Sequence, residues 1–205
     1  MRIPGHRPAR LLIALLFAPL LLTACALPRM IDSDVESFAG NPPAVAGASY
    51  RFERLPSQQA LAEHQTQTEA LAEVALGHAG LVRSDTMPRY SVQVTVQVAQ
   101  MPSPYMPRVI RRPPLMATDG TLFFPQPLLL LQEPNWFSHT VRFLLRDATT
   151  AQVAYETSAR FDGPWGDSGN LLPIVMDAAL SDYPNPPLGL RKVIIELPAP
   201  GPSTR

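Results

Sequence analysis

The alternation of apolar and polar residues along the chain predicts five β-strands. The clearest pattern covers 90–100, where Val92, Val94, Val96 and Val98 alternate with polar residues. A period of two places these valines on a buried face and the polar residues on a wetted face. The same reasoning predicts strands over 49–55 and 192–197, and a hairpin of strands 140–147 and 152–161 joined at 148–151.

Two helices are predicted between these strands. The stretch 57–80 follows Pro56, is rich in Ala, Leu, Gln and Glu, and places Leu61 and Leu71 near helical spacing. Gly80 stands where a left-handed residue commonly ends a helix. A second, shorter helix is predicted over 171–181.

A proline-rich insert separates the strand 90–100 from the hairpin. Prolines at 102, 104, 107, 113 and 114 exclude a helix or a central strand, so 101–120 is expected to be a long loop or an extended arm. The apolar segment 121–131 follows and contains Pro125 and Pro127. It fits a strand at a sheet edge or a packed extended segment.

The order of elements is therefore β-α-β, Pro-rich insert, β-β-α-β. It predicts an α+β domain over 48–198 with a single, mainly antiparallel sheet and two helices packed on one face. Residues 25–47 show no sustained period and are expected to form a flexible stem. Residues 199–205 are expected to be a disordered tail.

The N-terminus has the pattern of a secretory signal. Three arginines precede an apolar run over 11–24 that only Pro19 interrupts. A helix needs roughly 20 apolar residues to cross the hydrocarbon core of a bilayer, so this run is too short to span one. We expect 1–24 to be removed on export.

The run ends in Leu22-Thr23-Ala24-Cys25, which resembles the bacterial lipobox, and Cys25 is the only cysteine of the chain. An unpaired thiol would be unusual in an oxidising periplasm. The resemblance implies that Cys25 is acylated and becomes the first residue of the mature protein, and acyl chains hold a protein durably on a bilayer. Ala26 is not the aspartate that retains such lipoproteins at the inner membrane. The expected location is therefore the periplasmic face of the outer membrane.

The charge of the mature chain argues against nucleic-acid binding. Residues 1–24 contain three arginines and no acid, so the rest has 17 − 3 = 14 basic residues against 17 acidic ones. Binding of nucleic acid depends on neutralising phosphates with basic side chains.

The candidate motifs for catalysis and metal binding lack the neighbouring residues that these functions need. Gly166-Asp167-Ser168-Gly169 reads like the nucleophile region of serine proteases, but the residues that follow differ, and no histidine has a matching setting. His64 and His78 lie about 21 Å apart on one predicted helix and cannot share a metal ion. We expect no catalytic residue, no metal and no cofactor.

Partner binding is the remaining chemistry that the sequence suggests. Loops as long as the insert are usually functional or disordered. A functional insert would dock a partner protein or rest on the membrane surface through its arginines and apolar side chains; otherwise it is a mobile, solvated loop. Trp165, in the loop 162–166, is either a binding anchor or a cover for the end of the sheet. The candidate partner-binding residues are Tyr105, Arg108, Ile110, Arg111, Arg112 and Trp165.

From Ser49 onward the chain resembles a family of uncharacterised proteobacterial lipoproteins with a periplasmic α/β domain of unknown function. The resemblance implies anchoring and fold but no catalytic residues. A glycine often follows the hairpin threonine in that family, whereas Ala151 follows Thr150 here. If the position needs a left-handed backbone, Ala costs about 1–2 kcal/mol; otherwise the turn type differs. The resemblance rests on 50–52, the helix end near Gly80, 88–92, 141–147, 155–157, 162–165 and 183–187.

The sequence leaves two main hypotheses for function, and a hydrolase that uses Ser168 is a third. The first is a non-enzymatic, membrane-anchored domain that offers a sheet face, the insert or the Trp165 loop to another envelope component. The alternative is a periplasmic carrier that holds a small apolar or lipid-like ligand beneath the helices, which the apolar residues 128–131 suggest.

Overall fold

The computed structural model describes residues 29–104, 113–124 and 135–197. The chain divides into two compact units, Met1–Ile31 with Ile195–Arg205, and Asp32–Ile194. The described part of the first unit consists of the outer ends of two strands. All surfaces discussed below lie in the second unit.

The described residues form nine strands and three helices. The helices are α1 (Pro56–Ala60), α2 (Ala62–His78) and α3 (Ser168–Leu180). Seven strands make one sheet in the order β3-β2-β4-β7-β8-β1-β9, and β5 and β6 form a separate two-stranded sheet. The strands are β1 (Arg29–Ala39), β2 (Ser49–Phe52), β3 (Val82–Arg83), β4 (Tyr90–Met101), β5 (Leu115–Met116), β6 (Leu122–Phe123), β7 (Trp136–Asp147), β8 (Val153–Gly163) and β9 (Arg191–Leu197).

The prediction of a single, mainly antiparallel sheet with two helices is wrong. Strands β4, β7, β8 and β1 pair antiparallel, but β2 pairs parallel to both β3 and β4, so the large sheet is mixed. The sequence pattern could not show this, because alternation reports which face a residue occupies and not the direction of its neighbour. The helical segment between β2 and β4 is long enough for the crossover that a parallel pair needs.

Helices α2 and α3 cover one face of the large sheet. Val94, Phe143, Thr157 and Ser37 are successive partners across β4, β7, β8 and β1, and all four are buried on this face. The Thr157 hydroxyl also lies 2.7 Å from the carbonyl oxygen of Ala179 in α3. The residues between them, such as Gln93, Thr95 and Arg142, lie on the opposite face, which is called the open face below.

The long predicted helix is interrupted by a single residue. Leu61, with φ −113° and ψ 46°, separates α1 from α2. The expected helix end at Gly80 is confirmed, since Gly80 has φ +84° and Leu81 N–H donates to the carbonyl of Leu76 at 2.9 Å. This is the bond pattern of a Schellman motif, which glycine favours.

Residues 29–39 form β1, although they lie within the expected stem. Residues 34–39 pair with β8, and Ser33, Val35 and Ser37 are buried on the helical face. Two of these inward positions carry serine. The sequence therefore does not show the alternation of apolar and polar residues that identifies a strand. The Ser37 hydroxyl is satisfied by that of Thr157, 2.7 Å away, whereas Ser33 Oγ has no hydrogen-bond partner among the described residues.

The insert contains an element that its prolines do not reveal. Within 101–120 and 121–131, strands β5 and β6 pair as a short hairpin, Leu115 with Phe123 and Met116 with Leu122. Residues 105–112 and 125–134 lie outside the described residues. None of the described helices has both the length and the apolar character needed to cross a membrane.

Candidate interaction surfaces

The chain enters the large sheet at one identifiable end. Cys25, the expected lipidation site, lies outside the described residues, but Asp34 of β1 pairs with Arg160 of β8. Because the pair is antiparallel, the chain before Asp34 comes from the side where β8 ends. The entry end, as it is called below, consists of residues 98–101 of β4, 136–139 of β7 and 160–163 of β8, which are paired with one another.

Aromatic side chains gather at the entry end. Trp165 is half-buried and stacks on Phe161, with ring centroids 6.0 Å apart and planes inclined by 6°. Phe137 packs against the adjacent loop so closely that a Cβ on Gly166 would lie 3.1 Å from its ring. Trp136 is paired with Met101 across β7 and β4. Trp165 therefore covers the end of the sheet and keeps part of its ring accessible.

The structure places Ser168 beside a histidine that is distant in sequence. His139 Nε2 on β7 lies 3.2 Å from Ser168 Oγ, at the first residue of α3. The imidazole is fully buried, and its Nδ1 has no hydrogen-bond partner among the described residues. Burial lowers the pKa of His139 below its ordinary value, and the nearby carboxylates of Asp167 and Asp162 only partly offset this effect.

Within the described part of the chain, this pair lacks the third group of a catalytic triad. To activate Ser168, Nε2 must accept the hydroxyl proton, which requires the proton of the imidazole to be on Nδ1. That N–H would then be buried without an acceptor. The other tautomer, in which Nε2–H donates to Ser168 Oγ, leaves only a lone pair without a partner. The geometry therefore favours a histidine that donates to Ser168 over one that activates it.

The other two histidines of the described residues occupy surface positions. His78 Nδ1 lies 3.0 Å from Asp177 and links the end of α2 to α3, whereas His64 is exposed on α2. Within 29–104, 113–124 and 135–197, no three His, Cys, Asp or Glu side chains cluster as metal ligands would.

A shallow groove lies on the open face, toward the end of the sheet opposite the entry end. Leu55 and Leu144 form its apolar part, and Arg142 and Arg146 of β7 flank it. Arg142 is ion-paired with Glu156 on β8. Arg146 has no carboxylate partner among the described residues. The groove residues are Leu55, Gln93, Thr95, Arg142, Leu144 and Arg146.

The opposite half of the open face is internally neutralised. Lys192 Nζ lies 2.9 Å from Asp34 and 3.5 Å from Asp32, and Arg160 Nε lies 2.9 Å from Asp162. Exposed pairs of this kind contribute little stability, about 0–1 kcal/mol each. They do leave this half of the face without an excess of positive charge, so the two halves differ electrostatically.

The space between the helices and the sheet is filled by side chains. Phe143 of β7 and Leu171, Val175 and Met176 of α3 are each fully buried, as is Leu76 of α2. An apolar ligand beneath the helices would have to displace this packing, and the loss of packed core contacts is costly.

Most predicted partner-binding residues cannot be placed. Tyr105, Arg108, Ile110, Arg111 and Arg112 lie outside the described residues, and only Trp165 is described. Sequence reasoning missed the groove and the contact between His139 and Ser168. Alternation does assign Gln93, Leu144 and Arg146 to a wetted face, but it contains no information about the strand register that brings them together.

Comparison with known proteins gives no assignment. No protein-family model and no curated protein matches the chain. Among solved structures, a PelC dodecamer from Paraburkholderia phytofirmans is 14% identical, with a TM-score of 0.42, over 76% of this chain and 99% of that one. A PDZ domain protein from Parabacteroides distasonis is 13% identical, with a TM-score of 0.46, over 88% of this chain and 42% of that one. A minor lipoprotein from Acinetobacter baumannii is 14% identical, with a TM-score of 0.32, over 66% and 88%. TM-scores below 0.5 do not establish a shared fold, so we infer nothing about this chain from these proteins.

Proposed function

We propose that the chain is a non-catalytic lipoprotein of the cell envelope, anchored through Cys25 to the periplasmic face of the outer membrane, and that it binds another envelope component. The open-face groove is the proposed binding surface. The observation that carries this proposal is Arg146, a cation without a carboxylate partner among the described residues, beside the apolar side chains of Leu55 and Leu144.

The position of the groove suits a protein that is tethered at the other end of the sheet. Gln93 lies eight residues before Met101 on β4, which corresponds to roughly 26 Å at a strand rise of about 3.3 Å per residue. Within the second unit, β1 begins at the end that contains Met101. A domain held there would direct the groove away from the membrane and toward the periplasm.

The charges of the groove favour an acidic partner with apolar side chains. Arg142 shares its charge with Glu156, whereas Arg146 is available to a carboxylate from outside. An arginine can bind a carboxylate through two parallel hydrogen bonds, and such charge-assisted bonds are stronger than neutral ones. We therefore expect a segment of another envelope protein that pairs a carboxylate with a leucine-like side chain.

In-cell photocross-linking from position 93 tests the proposal. A photoreactive residue in place of Gln93 should give a discrete protein product, and Arg146→Gln should reduce it several-fold. Lys192→Gln is the matched control, because it removes one positive charge from the same face at the opposite edge. The product should also decrease when Cys25→Ser removes the lipid.

Other outcomes would contradict specific parts of the proposal. A product that is equally strong in Arg146→Gln and Lys192→Gln would exclude charge recognition by the groove. A lipid product in place of a protein would contradict a protein partner for the groove. Hydrolysis of any substrate that depends on Ser168 would contradict the non-catalytic assignment.

A further inference from the structure

The β5–β6 hairpin exposes apolar side chains on both of its faces. Leu115 pairs with Phe123 and Met116 with Leu122, so the two pairs project to opposite sides. These four side chains are between 53% and 73% exposed, and Phe124 is 76% exposed. A two-stranded hairpin is marginal in water unless its apolar surface is covered.

The chain path connects this hairpin to the entry end. The insert leaves β4 after Met101 and returns at Trp136, and these two residues are paired with each other. The second unit begins at Asp32, two residues before the Asp34–Arg160 pair of the same end. Asp32 is seven residues after Cys25 in the sequence, so the chain between them can span at most about 25 Å.

The residues around the entry end match a membrane interface. Trp136 and Trp165 are the only two tryptophans of the chain, and both belong to this end. Tryptophan is enriched at the level of lipid headgroups, because its ring is apolar while its N–H can form a hydrogen bond. The two tryptophans thus lie at the end of the sheet from which the insert leaves and to which it returns.

We propose that the β5–β6 hairpin is a second membrane contact in addition to the acylated Cys25, lying in the interface of a phospholipid bilayer and fixing the orientation of the domain. This inference rests on the proposed lipid anchor. A single lipid attachment would allow the domain to rotate about its tether. A second apolar contact would hold the groove toward the periplasm.

The hairpin lies along the bilayer surface and does not enter it with its turn first. Asp119 is in the turn and accepts a hydrogen bond from Thr121 N–H at 3.0 Å. This bonding lowers the pKa of Asp119 below its ordinary value, so the turn carries a negative charge. A charge is costly in the hydrocarbon region. The apolar side chains therefore reach the boundary between headgroups and acyl chains while the turn remains in water.

Environment-sensitive labels on the lipidated protein test this geometry. Acylation uses the sulfur of Cys25, so a cysteine introduced elsewhere is the only free thiol. We would label Phe123→Cys, Asp119→Cys and Val82→Cys with a polarity-sensitive fluorophore and reconstitute each protein in vesicles of phosphatidylethanolamine and phosphatidylglycerol. Position 82, on an edge strand and 60% exposed, is the matched control for an apolar surface residue.

The expected result is specific for one position. The label at 123 should shift its emission to shorter wavelength and be quenched by lipids brominated in the acyl chain, whereas labels at 119 and 82 should behave as in water. If the protein floats with the vesicles but the labels at 123 and 82 have the same emission wavelength and the same lack of quenching, the inference is overturned and the anchor remains intact. Failure of the unlabelled protein to float would instead contradict the lipid anchor. Photocross-linking from position 123 in cells should give a lipid product. A protein product instead would also exclude docking on the bilayer.

Discussion

Ser168 and His139 are the pair of residues whose relationship changes most between sequence and structure. The protease-like string around Ser168 has no histidine nearby in sequence, but the pairing of β7 with β8 brings His139 Nε2 to 3.2 Å from Ser168 Oγ. The buried imidazole depends on this hydroxyl for its only hydrogen bond among the described residues. We therefore assign the pair a role in stability.

Replacing Ser168 should expose that dependence. Ser168→Ala removes the hydroxyl and leaves both nitrogens of a buried imidazole without partners, which should lower the free energy of unfolding by about 1–3 kcal/mol. Urea unfolding measures this quantity. Ser168→Thr keeps a hydroxyl and should lose less. Equal stability of Ser168→Ala and the unaltered protein would show that the contact contributes nothing.

The pH dependence of the free energy of unfolding should reflect the protonation of His139. Because burial lowers its pKa in the folded state, the unfolded chain binds the proton more readily near pH 6. The contribution of His139 is therefore fully present above its ordinary pKa of about 6.5 and is lost as the pH falls through the lower, folded value. Urea unfolding between pH 8 and pH 5 should show a falling free energy in the unaltered protein, and His139→Phe should flatten that slope. An unchanged slope in His139→Phe would assign the effect to other groups.

At the scale of elements, the turn between β7 and β8 contains one residue with a strained backbone. Ala151 has φ +59°, in the left-handed region that costs an L residue energy. Ala151→Gly should raise the free energy of unfolding by about 0.5–1 kcal/mol after the entropic cost of glycine is included. Thermal or urea unfolding would show this as a higher midpoint. Ala148→Gly, in the same turn at negative φ, should give no gain, and a gain there equal to that at 151 would contradict the argument.

The elements also show which parts of the fold a single sequence can and cannot specify. The strand 90–100 and the hairpin were predictable, because their alternating side chains face a helical layer on one side and water on the other. The strand β1 was not, because serines occupy its buried positions Ser33 and Ser37. The parallel pairing of β2 with β4 was not, because residues far apart in the chain decide it. The groove depends on this same register, so only the face of its residues could be predicted.

At the scale of the whole molecule, the proposed membrane contact depends on one end of the sheet and the proposed binding groove lies toward the other. The expected membrane of the lipidated protein depends on Ala26, which follows the lipidated cysteine. Ala26→Asp should move the protein from the outer to the inner membrane, as measured by density separation of the two membranes. The conservative variant Ala26→Ser should stay at the outer membrane. An unchanged distribution of Ala26→Asp would contradict the assigned membrane.

The lipid on Cys25 supports both the proposed function and the second membrane contact, so the intact mass of the protein purified from membranes tests the account most directly. We predict a mature chain that begins at Cys25 and carries the added mass of its acyl chains, and a Cys25→Ser chain without that mass. A mature protein that begins at another residue, or that begins at Cys25 without acyl chains, would contradict the account.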